Sequence, residues 1–133
     1  NSEKRKLGVY IKDSLESNKH RFQWQLDHLQ EHIGKGEKVL DVGCGGGAFL
    51  RLVQDKGLKA EGVELDPKRA AFTRENLSCQ IYQTSIDDPV FMKEHQTAYD
   101  AVTLWDVIEH VNFPFKTLYS AYRIINKGGG AIH

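Results

Sequence analysis

The chain has 133 residues, 40% of them hydrophobic and 27% charged, which is the length and composition of one globular domain with a single core. Lys and Arg together number 18 and so do Asp and Glu, so no global field argues for nucleic acid or an anionic membrane as partner. No apolar run approaches the ~20 residues of a membrane span, the polar start shows no signal peptide, and the two cysteines form no disulfide framework, so a reduced, cytoplasmic protein is expected.

In chain order, residues 1–12 read as a charged, frayed terminus, 13–34 as a leading helix and 38–133 as the core of a single domain. The stretch 13–33 has no Gly or Pro, and Leu15, Phe22, Leu26, Leu29 and Ile33 recur at helical spacing, with Gly34 placed to end it. Lys38–Val42 reads as a short buried strand, and 47–56 as a helix closed by Gly57. A second strand is expected over 59–64. Asp66-Pro67 then supplies an N-cap and a first-turn residue for a helix over 67–76. A weaker third strand falls at 78–83 and a short helix at Pro89–Glu94. The fourth strand, 99–105, is rich in β-branched and aromatic residues. Asn112 is placed to cap a helix carrying Phe115, Leu118, Tyr122 and Ile125 on one face, and Gly128 to stop it. Residues 131–133 open a fifth strand. Asn1 stands where a Met would, and GGGAIH stops as that strand begins, so both ends read as cut. Strands alternating with helices predict right-handed βαβ units: an α/β, doubly wound, mostly parallel sheet with helices on both faces.

The stretch VLDVGCGGGAFL, residues 39–50, carries the chemistry. An apolar run ends in Asp41, and four of the next six residues are glycine. Gly43, Gly45 and Gly47 form a G-x-G-x-G turn between strand and helix, which lets backbone approach a ligand closely. In this class ligands bind beyond the carboxyl ends of the strands, where strand order reverses. Glu64 ends the second strand twenty-one residues after Gly43, near the ~20-residue offset at which an acid meets a ribose diol. Turn and acid together point to a nucleoside-containing cofactor. Asp41 would repel a dinucleotide's pyrophosphate, which prefers a helix N-terminus. It suits a cationic ligand, and S-adenosylmethionine carries an α-ammonium and a sulfonium but no phosphate. Each feature alone has a plainer reading: the glycines as a tight turn, Glu64 as a strand-end acid, and Cys44 as a small filler instead of a nucleophile.

VLDVGCGGGAFL resembles the first motif of class I S-adenosylmethionine-dependent methyltransferases. GVELDP (62–67) resembles their second, and YDAVTLWDVIEHV with LYSAYRIINKGGG resemble the later ones. The resemblance covers residues 25–133 in order. It implies a Rossmann-like methyltransferase fold that here stops after the fifth strand. It also implies S-adenosyl-L-methionine as cofactor and methyl transfer to a small-molecule acceptor. It places Asp41, Gly43, Cys44 and Gly45 along the methionine part, Glu64 on the ribose hydroxyls and Leu65 against the adenine. Ser85 stands where the family has an acid, so the adenine amino group would meet Ser85 or the backbone of Ile86. Leu104 and Trp105 would lie near the methionine amine and the methyl group. The family's acceptor site belongs largely to strands beyond the fifth.

Asp106, Glu109 and His110 follow the fourth strand. Some enzymes of the family hold a divalent metal with an acid-x-x-Glu-His pattern, since hard cations favour carboxylates. Many metal-free ones share the pattern, with His110 as base or substrate-positioning group, or simply as part of the loop. The expectation is His110 in catalysis and no metal. Tyr10, Phe22 and Trp24 precede the first strand; Phe22 belongs to the packing face, and Trp24 falls off it as a candidate lid or partner contact. Two rival functions remain open: a non-catalytic module that keeps the fold, and an NAD-dependent oxidoreductase domain, against which Asp41 argues.

Overall fold

Helix and strand alternate through the computed structural model, which describes residues 19–105, 107, 111–125 and 131–132. The helices are α1 (Lys19–Gln30), α2 (Ala48–Asp55), α3 (Pro67–Leu77), α4 (Pro89–Glu94) and α5 (Pro114–Ile124), and the strands β1 (Lys38–Val42), β2 (Lys59–Val63), β3 (Gln80–Tyr82), β4 (Ala101–Thr103) and β5 (Ala131–Ile132). The strands form one sheet in the order β3-β2-β1-β4-β5, every pairing parallel. The chain thus runs outward from β1 to one edge, returns, and runs to the other. That reversal puts the end of β1 at the switch point, as the glycine motif requires.

Alternation along β1 sends successive residues to opposite faces. Val39 joins Leu26, Leu29, Phe49, Leu50 and Val53 under α1, α2 and α3. Leu40 and Val42 join Val63, Val102, Tyr99, Ala121 and Ile124 under α4 and α5. Leu50, Val53, Leu40 and Val102 are wholly buried, and each such side chain stabilises the fold by about 1.5–3 kcal/mol. The doubly wound architecture is as expected.

Capping chemistry explains two helix starts. Asp66 accepts from the Lys68 amide at 3.0 Å and Asp88 from the Phe91 amide at 2.9 Å, each followed by Pro at the first helical position.

The structure corrects four readings. The leading helix stops at Gln30, before Gly34. The His32 and Ile33 amides both turn back onto the Leu29 carbonyl, and the Gly34 amide is taken by Glu37 Oε1 at 2.9 Å. β2, β3 and β4 are shorter than expected; Tyr99 only bridges to Ile125. Asn112 does not cap α5: Phe113 holds that position with no side-chain bond, and Pro114 starts the helix. Finally, α5 buries Thr117, Ser120, Ala121 and Ile124 and turns Phe115, Leu118 and Tyr122 outward. Residues 1–12, Leu15, Gly128 and His133 lie outside the described residues.

Candidate functional site

The turn after β1 is held in a conformation that only glycine adopts without strain at three alternate positions: φ is 66° at Gly43, 57° at Gly45 and 87° at Gly47. At Gly47 space matters too, since a Cβ there would meet Thr73 Cγ2 at 2.6 Å and Leu77 Cδ1 at 2.7 Å. At Gly45 a Cβ would meet nothing within 4 Å, so that glycine faces open space.

Neighbouring elements pin the turn from three sides. The Gly43 and Cys44 amides donate to the Val63 carbonyl at 2.9 and 3.2 Å. Thr73 of α3 donates its hydroxyl to the Gly45 carbonyl at 3.0 Å. Glu64 reaches across from the end of β2: its Oε1 accepts from the Gly45 amide at 2.8 Å and its Oε2 from the Asp66 amide at 3.0 Å. Each carboxylate oxygen keeps a further lone pair for a ligand hydroxyl.

Asp41 is the penultimate residue of β1, with only 5% of its surface exposed. Thr103, its register partner on β4, donates to Asp41 Oδ1 at 2.6 Å. Burial pushes the Asp41 carboxyl up to about 7; the Thr103 hydroxyl opposes this and the negative charge of Glu64 adds to it. A buried carboxyl that titrates near neutrality favours a cation placed beside it. Cys44 is also buried, and a Cβ on Gly62 would meet its Sγ at 2.8 Å. Burial, then Asp41 and Glu64, raise its thiol far above the usual range. The thiol fills space over β2, as the filler reading has it.

Two cavities open around this frame. The first, about 230 Å³, is lined by Asp41, Gly43, Cys44, Gly45, Glu64 and Trp105, together with Arg21 and Phe22 of α1, Phe49 of α2 and Arg69 of α3. Trp105 stands edge-on to Phe49, ring centroids 5.5 Å apart. The second, about 350 Å³, is lined by Gly43, Glu64, Leu65, Ser85, Ile86 and Asp87, closed by Val107, Phe113 and Thr117. Gly43 and Glu64 belong to both, so the two chambers meet across the carboxyl ends of β1 and β2. One holds paired acids and arginines between aromatic walls; the other is mainly apolar.

Nine of the ten expected cofactor residues line one chamber or the other. Leu104 lines neither, being packed in the core with Leu40 and Val42. Ser85 Oγ accepts from the Asp87 amide at 3.2 Å, and the Asp87 carboxylate is turned to α5, accepting from Ser120 Oγ at 2.6 Å. Phe22 is partly buried against Phe49 and Phe72 and also lines the first chamber. Trp24 is 63% exposed and stacks on His28. Asp106, Glu109, His110 and Tyr10 lie outside the described residues. Sequence reasoning missed Arg21, Arg69 and Thr73. No local pattern marks them, since tertiary packing alone brings α1 and α3 to the turn.

A sequence profile described as a methyltransferase domain matches residues 13–133. Among curated proteins, the ubiquinone biosynthesis O-methyltransferase of Azoarcus sp. (strain BH72) is 30% identical over 109 residues, covering 79% of this chain and 47% of that protein. The protein of the same name from Proteus mirabilis (strain HI4320) is 32% identical over 110 residues, covering 79% of this chain and 45% of that protein. The chain thus spans about half the length of the curated relatives it matches. Among solved structures, a SAM-dependent methyltransferase from Archaeoglobus fulgidus superposes with a TM-score of 0.67 at 20% identity, over 88% of this chain and 53% of that one, a likeness of fold.

Proposed function

The chain belongs to the class I S-adenosylmethionine-dependent methyltransferase family, and we propose that the protein it forms transfers a methyl group from that cofactor to a small-molecule acceptor. The observation that carries this reading is the first chamber, whose lining includes the buried Asp41, Glu64, Arg21 and Arg69. A nucleotide pyrophosphate would find two acids there. An amino-acid zwitterion with an added positive charge finds acids for its cations and arginines for its carboxylate. The second chamber offers Leu65 and Ile86 to a flat ring, and Glu64 at the junction offers acceptor oxygens to a ribose diol. The residues present therefore fit S-adenosylmethionine.

When bound, the cofactor supplies an electrophilic methyl on a positively charged sulfur that leaves as a neutral thioether. In this reading the chain's residues supply alignment. Glu64 and the glycine turn hold the nucleoside, Asp41 and the arginines orient the amino-acid end, and Phe22, Phe49 and Trp105 keep water from the methyl. Positioning of this kind can account for most of the acceleration of an in-line displacement. The relatives are named as O-methyltransferases, so we take oxygen as the acceptor atom, and on sequence grounds we assign His110 to receive or orient its proton without a metal. Cys44 and Cys79 are free thiols, consistent with a reducing, cytoplasmic setting.

Titration calorimetry of the protein with S-adenosylmethionine and with NAD tests the cofactor, and we expect heat only from the first. Tighter binding of NAD would overturn the reading. Turnover belongs to the longest polypeptide that contains this chain. There His110→Ala is expected to lower kcat about 10²-fold without loss of cofactor affinity, and EDTA to leave turnover unchanged. Loss of turnover in EDTA that Mg²⁺ restores would replace the His110 assignment with a metal site.

A further inference from the structure

The aromatic side chains of α5 face away from the core. Phe115 is 86% exposed, Tyr122 70% and Tyr119 57%, with Phe113 just ahead of the helix at 69%. The inner face carries Thr117, Ser120, Ala121 and Ile124, and two of these are anchored: Ser120 and Thr117 donate to the Asp87 carboxylate at 2.6 and 3.5 Å. With Ala121 and Ile124 buried beside them, these bonds go with the rotation that turns the rings outward. A contiguous exposed patch of this kind marks a contact surface.

Charge indicates which surface. The net charge of the chain is zero, yet all 18 acidic residues precede residue 111. Residues 111–133 hold Lys116, Arg123 and Lys127 and no acid. Lys116 and Arg123 are exposed on α5 among the rings, with the Arg123 guanidinium over the Tyr119 ring, 5.9 Å from its centroid. The neutral total thus hides a separation of charge along the chain. Protein contact sites are often aromatic too, but rings set among cations of a single sign match a bilayer interface. Phe side chains enter the acyl boundary, Tyr hydroxyls stay with the headgroups, and Lys and Arg meet anionic lipid.

We infer that the outer face of α5 docks onto an anionic phospholipid membrane. The docking is peripheral, because among the described residues no helix is long and apolar enough to cross a bilayer. Phe113 belongs both to this patch and to the wall of the second chamber, so the docked face adjoins the cleft.

The test is flotation with vesicles of phosphatidylcholine alone and of phosphatidylcholine mixed with phosphatidylglycerol, for the protein and for any longer polypeptide that carries it. The mixed vesicles are expected to bind it roughly tenfold or more tightly, and added salt to weaken the binding. Phe115→Ser with Tyr122→Ser, and separately Lys116→Glu with Arg123→Glu, should each lower that binding at least about tenfold with Tm preserved, since all four side chains are exposed. Equal or absent binding to both vesicles overturns the inference. So does a dimer in light scattering that Phe115→Ser with Tyr122→Ser dissolves, which would make a second copy the occupant. Binding that is lost in the longer polypeptide also overturns it, since the face would then be covered within the chain. None of these readouts depends on methyl transfer, so the inference and the proposed activity fail separately.

Discussion

Asp41 and Glu64 do different work within one cleft. Glu64 accepts two backbone amides, one at each carboxylate oxygen. Asp41 has one hydroxyl partner and little else, which is why burial pushes its carboxyl up to about 7. The sign of the pH effect follows. Below that value the free site holds a proton on Asp41, whereas a cationic ligand prefers the carboxylate, so binding must expel the proton. Affinity for S-adenosylmethionine should fall up to about tenfold per pH unit on the acid side and level off on the alkaline side. Calorimetry in buffers of different ionisation enthalpy would record the released proton. Asp41→Asn should bind more weakly and lose the pH dependence, and a pH dependence that persists would place the titrating group elsewhere. Asp41 and Glu64 were legible in the sequence because Asp41 closes an apolar run just before the glycines and Glu64 follows the second strand twenty-one residues after Gly43. Arg21 and Thr73 were not, because their position depends on how α1 and α3 pack.

At the scale of elements, the strand-turn-helix unit was read almost to the residue: β1 starts and ends where expected, and α2 starts one residue late. Its three glycines are not equivalent. Gly45→Ala puts a methyl into open space and should cost about 1–2 kcal/mol, the strain of a left-handed alanine. Gly47→Ala adds a collision with Thr73 and Leu77 and should cost a further ~1–3 kcal/mol. Urea unfolding of the two variants measures the difference, and equal losses would mean that α3 yields to the new methyl. Cofactor affinity should respond in the opposite order, falling more in Gly45→Ala, whose methyl enters the first chamber. α5 was misread for an instructive reason. Period alone groups Phe115, Leu118 and Tyr122, and the largest apolar set is ordinarily the buried one. The buried face is instead the one that carries Ala121 and Ile124 together with Thr117 and Ser120, whose hydroxyls donate to Asp87, a partner that no helical spacing reveals.

Across the whole molecule, a doubly wound parallel sheet with helices on both faces could be inferred because strands alternate with helices and such crossovers are as a rule right-handed. The glycine turn is tied to the end of β2, and Cys44 lies at that joint with its sulfur against Gly62. That placement makes the thiol a clock for the opening of the joint. Cys79 is half-buried, with a thiol that burial and Glu61 raise, while Cys44 is shut away and raised much further. A thiol reagent should therefore modify Cys79 in the native protein and reach Cys44 only when the turn parts from β2. Mass spectrometry of labelling over time should show two separated phases, the slow one further slowed by S-adenosylmethionine and the fast one indifferent to it. Simultaneous labelling of both cysteines would mean that the turn opens as readily as the surface. If the phases separate, the small residue between the glycines records, in minutes or hours of alkylation, how often the empty cleft comes apart.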